Sequence, residues 1–100
     1  MDQYLIGKNK NHNWQLFDDA DKNHFLFHLE SFPSCYVIVK KFELNKEDIM
    51  MASNMCKMNS KYKNLKGVFV FYTNISNLKK GDETGELIIL KKSLVKRIKI

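Results

Sequence analysis

The chain has one proline, four glycines, two cysteines and one tryptophan among 100 residues, and its only arginine is Arg97. With so little proline and glycine, no flexible linker or low-complexity segment stands out. Gly7 is alone in its region, so there is no glycine-rich loop of the kind that cradles phosphates. Cys35 and Cys56 stand in apolar settings on different predicted elements and lack metal-ligand spacing. They read as two reduced core thiols in a reducing compartment. No apolar run approaches the roughly 18–20 residues of a membrane-spanning helix. The start, Met1-Asp2-Gln3-Tyr4, lacks the basic and apolar regions of a secretory signal. The expected location is therefore the cytoplasm, with the nucleus as the alternative.

What is present points to a small folded domain. The composition is 44% hydrophobic and 12% aromatic, which predicts a core rather than disorder. A chain of this length is one domain, here taken as residues 1–100, and buries roughly 60–65% of its unfolded surface. The charge is uneven. Residues 1–50 carry six basic and eight acidic side chains, whereas residues 51–100 carry eleven and three. A basic half of this kind suits a polyanionic partner, the plainer alternative being a solvated lysine surface.

Along the chain, Tyr4-Leu5-Ile6 reads as a short strand closed by Gly7, and Lys8 to Asn11 as a turn. A short helix is expected around Asn13 to Phe17, then an acidic break at Asp18, Asp19 and Asp21. Phe25 to Leu29 reads as a strand, Phe32-Pro33-Ser34 as a turn and Cys35 to Lys41 as a central strand. Asn45 opens a longer helix by capping the amide of Asp48. On it Met51, Met55, Met58 and Tyr62 follow helical spacing and are expected in the core, with Ile49, Ala52, Cys56 and Asn59 on the next stripe. Lys63 to Gly67 end it. Val68 to Thr73 is the strongest strand; a loop, a turn at residues 81–85 and two more strands, Glu86 to Leu90 and Leu94 to Ile100, complete the chain. The order β-α-β-β-α-β-β-β implies an α+β fold, a mainly antiparallel sheet covered by one long helix.

Little in this pattern supports catalysis. His24 and His28 are four apart, but at the edges of a strand they stand ~13 Å from each other, too far to share a metal. His28 reads as a semi-buried histidine bonded to backbone. Asp18, Asp19 and Asp21 lack the glycine and closing glutamate of a calcium loop, and neither cysteine has an oriented base beside it. No enzyme, metal or cofactor is expected.

The basic residues are the best functional candidates. Lys57, Lys61, Lys63 and Lys66 cluster at the end of the long helix, Lys79 and Lys80 follow the strongest strand, and Lys8 and Lys10 flank the first turn. Lysines make strong, salt-sensitive phosphate contacts that are blind to sequence. Tyr36, Tyr62 and Tyr72 would stack on unpaired bases if exposed and pack in the core if not.

The order of these segments resembles the NFACT-R family. Its pattern of a strand ending in glycine, a basic or polar residue and an asparagine on a short helix is met by Gly7, Lys8 and Asn13, with Leu16 on the helix. Phe27 and His28 match its Asp-Ile-Trp-Phe-His-like strand, while His24 and Leu26 depart from its Asp and Trp. Ser34 and Val37 match the next step, where Tyr36 replaces a histidine. Ser60-Lys61, then Val68, Val70, Tyr72 and Thr73, then Asn77 to Lys80, Gly85 and Val95-Lys96 continue the match. No single motif is specific, but their order and spacing are. The resemblance implies an RNA-binding module linked to tRNA or the ribosome, as in ribosome quality-control factors. Candidate contacts are then Lys8, Lys10, Asn13, His28, Lys57, Ser60, Lys61, Lys63, Lys66, Tyr72, Lys79 and Lys80. Alternatives are a protein-interaction module docking on a ribosomal protein and a duplex-DNA binder.

Overall fold

In the computed structural model, which describes residues 3–32 and 34–100, five strands form one antiparallel sheet in the order β1-β3-β2-β4-β7. These are β1 (Tyr4–Ile6), β2 (Phe25–Leu29), β3 (Val37–Val39), β4 (Phe69–Asn74) and β7 (Lys96–Lys99). Between them lie helices α1 (Lys10–Asp19) and α2 (Lys46–Met58) and a separate two-stranded hairpin of β5 (Leu78–Lys80) and β6 (Leu87–Ile89). Short 3₁₀ turns at Ile75–Asn77 and Lys92–Leu94 lead into β5 and β7. The turn expected at Pro33 falls on a residue outside those described.

The strand period decides which side chains meet. Phe27, Leu29, Val37, Val39 and Val70 point to one face and pack with Ala52 and Cys56 of α2. Leu26, Tyr36 and Ile38 point to the other and pack with Ile75 and Leu78, against Trp14, Leu16 and Phe17 of α1 and Leu87 and Ile89 of β6. The result is an α+β domain with a mainly antiparallel sheet. The expectation of one covering helix accounts for half of it, because α1 and the hairpin lie against the second face. Of the hairpin, the turn at 81–85 and the strand that is β6 were expected; β5 was missed because both its lysines are exposed and give no apolar signal.

Further boundaries differ. The last strand is Lys96–Lys99 rather than Leu94 to Ile100, because Lys92–Leu94 form a 3₁₀ turn. The first helix begins at Lys10, not Asn13, because Asn9 caps it with a side-chain oxygen that accepts from the His12 amide at 2.9 Å. The central strand is confined to Val37–Val39, with Cys35 and Lys40 outside it. The second helix ends at Met58, and turns carry the chain onward from Asn59.

The Asn45 cap forms as expected, with the reciprocal Asp48 side chain completing a capping box. Asp48 also accepts from the Tyr4 hydroxyl at 2.6 Å and the Lys41 ammonium at 2.8 Å. Lys41 first, then Tyr4, hold its carboxyl down to about 2, while the same pairing raises Tyr4 to about 12. The methionine stripe is buried only in part: Met55 and Tyr62 pack against the core, and Met51 and Met58 do not. Met51 is 49% and Met58 61% exposed, whereas Ala52, Ser53 and Cys56 are fully buried. Small side chains let the helix axis approach the sheet closely, and the neighbouring stripe wins. Cys56 is buried and Cys35 half-buried, both free, and burial pushes both thiols up.

Candidate nucleic-acid interface

β1 ends at Gly7, whose amide donates to the Tyr36 carbonyl at 2.9 Å. Asn13 lies on Gly7 so closely that a Cβ there would collide with the Asn13 side-chain oxygen. That oxygen accepts from the Tyr36 amide at 3.3 Å. Asn13 therefore ties α1 to the start of β3, and Gly7 is required by close approach. With α1 so fixed, its N-terminus, flanked by Lys8 and Lys10, faces the chain leaving α2.

That exit is held by its own bonds. Asn59 Nδ2 donates to the Met55 carbonyl at 2.8 Å, the Ser60 hydroxyl donates to Lys57 O at 2.6 Å, and Ser60 Oγ accepts from the Tyr62 amide at 3.1 Å. Tyr62 rests on Phe32, ring centres 4.4 Å apart. Between the two helix ends lies a cleft of about 340 Å³ that brings together Lys8, Lys10, Asn13, Ser60 and Lys61, with Ser34 and Cys35 in its wall. Among the described residues, no acidic side chain lines it. Three ammonium groups and the positive end of α1 give it an anion-attracting field.

The other candidates lie elsewhere. Lys57 is on the last turn of α2 and half-buried, and Lys63 and Lys66 are exposed on the turns that follow. Lys66 borders a separate cleft with Phe69 and Arg97. Lys79 is exposed on the hairpin, and Lys80 is paired with Asp18 at 2.7 Å and sits over the Trp14 ring at 4.9 Å. Tyr72 is half-buried and stacks on Phe27, ring centres 4.6 Å apart and planes 9° from parallel, against the core under α2. His28 is on the opposite face; its Nδ1 meets the Leu29 carbonyl at 2.7 Å, and burial lowers its pKa against the opposing pull of two backbone bonds. Tyr36 is buried, its hydroxyl donating to the Gly85 carbonyl. The acidic cluster is local: Asp18 holds Lys80, and Asp21 accepts from the Asn23 amide.

Asn9 and Asn59, the residues that shape the two sides of the cleft, were missed. An asparagine one residue before a helix is a cap signature that would have found Asn9. Among the described residues, no cluster of three or more His, Cys, Asp or Glu is placed to hold a metal, and no helix is long and apolar enough to cross a membrane.

The family model of the NFACT protein RNA binding domain matches residues 2–91. The chain belongs to that family. As an NFACT RNA-binding domain it is an RNA-binding module, the function class that the resemblance implied. Its fold is also that of a solved structure, the C-terminal part of the fibronectin/fibrinogen-binding protein from Streptococcus suis, with a TM-score of 0.88 at 22% identity. The match covers 97% of this chain and 40% of that one, so this domain spans less than half of that relative. No curated protein matches the sequence.

Proposed function

We propose that this NFACT RNA-binding domain grips the backbone of structured RNA, tRNA or ribosomal RNA, through the cleft between the start of α1 and the end of α2. The observation that carries the reading is the convergence of Lys8, Lys10 and Lys61 on a cleft that no acidic side chain lines among the described residues. Lys57, Lys63 and Lys66 extend the basic surface along the exit of α2. Recognition by backbone and shape follows from the residue types, since lysine is a point charge and Arg97 alone offers a bidentate fork. In this reading the domain binds and positions RNA and carries out no reaction.

A second reading has its own observation. Phe42 is 65% exposed, and Met50, Met51 and Met58 are exposed along the outer side of α2. Such a patch suits a protein partner, a ribosomal protein among them. Fluorescence anisotropy against tRNA, an unstructured RNA and duplex DNA at two salt concentrations separates the readings. Tightest binding to tRNA, weakening steeply with salt, supports the proposal. Tightest binding to duplex DNA replaces RNA by DNA as the ligand. No binding to any of them at low salt rejects the cleft as a nucleic-acid site and leaves the α2 patch as the functional surface.

A further inference from the structure

The second face of the main sheet is only partly covered. α1 and the hairpin pack on Leu5, Leu26 and Ile38. Beside them the same face carries a row crossing three strands: His28 on β2 opposes Phe71 on β4, which opposes Arg97 on β7. Adjacent strands lie about 4.8 Å apart, so these side chains stand next to one another. The His28 and Phe71 ring centres are 5.6 Å apart, and the Arg97 guanidinium sits 4.1 Å over the Phe69 ring. His28 and Phe71 are half-buried and Arg97 is exposed.

Two clefts meet over this row. One, of about 450 Å³, is lined by His28, Tyr36, Phe71 and Ile89. The other, of about 300 Å³, shares Phe71 and Ile89 and adds Lys92 and Arg97. Together they make a groove whose floor is aromatic and apolar at one end and whose rim is cationic at the other. Among the described residues, two acids border the groove and both are engaged: Glu30 is paired with Arg97 at 2.5 Å, and Glu86, in the wall of the larger cleft, accepts from the Asp82 amide at 3.0 Å. Exposed rings on a sheet face are stacking platforms for unpaired bases, and a guanidinium plane stacks in the same way. An apolar peptide would use the floor but would find nothing to answer at the cationic rim.

We infer that this groove is a second RNA contact, a site for an unpaired nucleobase of a single-stranded segment. The base lies against Phe71 and His28, and the attached phosphate faces Lys92 and Arg97. The inference rests on the RNA-binding reading above and adds a subsite to it. The row is at the end of the sheet where β1 and β2 finish and β3 begins, the end that also carries the lysine cleft.

The test compares short oligoadenylate with an abasic ribose-phosphate oligomer of equal length, by anisotropy at one salt concentration. Oligoadenylate is expected to bind about tenfold more tightly, since base–aromatic stacking has that order of effect. Phe71→Leu should bring the ratio close to one without weakening the abasic oligomer. The triple variant Lys8→Ala, Lys10→Ala, Lys61→Ala should weaken both oligomers and leave the ratio unchanged. Should Phe71→Leu fail to fold, ring-proton shifts in the unmodified protein decide. His28 and Phe71 must respond to oligoadenylate and not to the abasic oligomer, and an equal response to both overturns the site. An abasic oligomer that binds as tightly as oligoadenylate also overturns the base site and leaves the lysine cleft standing. Failure of both oligomers to bind while tRNA still binds overturns the groove as a single-strand site, and failure of tRNA as well overturns the RNA reading itself.

Discussion

The two faces of the five-stranded sheet alternate along the same strands yet end differently. Under α2 the face is closed: Phe27, Leu29, Val37, Val39 and Val70 are almost wholly buried, and Tyr72 is stacked on Phe27. On the other face α1 and the hairpin close only the part over Leu5, Leu26 and Ile38, and His28, Phe71 and Arg97 line an open groove. The lesson is that aromatic content says nothing about stacking until the face is known. Tyr72 and Phe71 are neighbours in sequence and both half-buried, but Tyr72 packs against the core under α2 and Phe71 lines the groove on the other face.

The comparison breaks most readily through the closed face. Phe27→Ala removes a fully buried ring and the partner of Tyr72, and should cost about 3–5 kcal/mol of stability in urea unfolding. Phe71→Leu keeps apolar volume on the open face and should cost about 1 kcal/mol or less. Equal losses at the two positions would mean that the faces do not differ as described.

Gly7→Ala probes the junction that orients the lysine cleft. The added Cβ meets Asn13, so the Asn13–Tyr36 bond is displaced. A loss of about 2 kcal/mol is expected, together with weaker RNA binding, because the start of α1 shifts. A variant of unchanged stability would show that α1 is not held this way.

The Asp48 cap links the closed face to pH. Its carboxyl is held at about 2 in the folded chain, below its ordinary 3.8, so the unfolded state binds the proton more readily. The contribution is fully present above about pH 4 and is lost as pH falls through about 2, with a size on the order of 2 kcal/mol. Urea unfolding between pH 5 and pH 2 should show this loss in the wild type and a flatter profile in Asp48→Asn. Parallel profiles would remove Asp48 from the acid response.

Much of the architecture was legible because its signals are local. The apolar runs at 25–29 and 68–73 and the Asn45–Asp48 pair each need only a few neighbours in sequence to be read. What was not legible depends on the third dimension. The Met stripe and the Ala52–Cys56 stripe have the same period, and only the close approach to the sheet selects the smaller side chains. β5 carries two exposed lysines and becomes a strand through pairing with β6. Of the candidate site, Lys8, Lys10 and Lys61 were named as members of two clusters. Their meeting across one cleft comes from the Gly7–Asn13–Tyr36 junction, which spans 30 residues of chain. Lys80 looked identical to them in sequence and is held by Asp18 and Trp14 instead.

That contrast gives the smallest expected effects. Lys79→Ala should change RNA affinity by less than about twofold, since an exposed charge away from the cleft is screened over about 10 Å at 0.1 M salt. An effect as large as that of Lys61→Ala, measured by the same anisotropy titration, would move the interface to the hairpin.

The most direct measurement is the salt dependence of tRNA affinity for the wild type and for the Lys8→Ala, Lys10→Ala, Lys61→Ala variant. Each phosphate contact contributes about 0.7–0.9 to the slope of log affinity against log salt. The account predicts a slope lower by about 2 in the variant, affinity reduced at least about tenfold at low salt, and stability within about 0.5 kcal/mol of the wild type. A folded variant with the wild-type slope and affinity would contradict the claim that this cleft holds the RNA backbone.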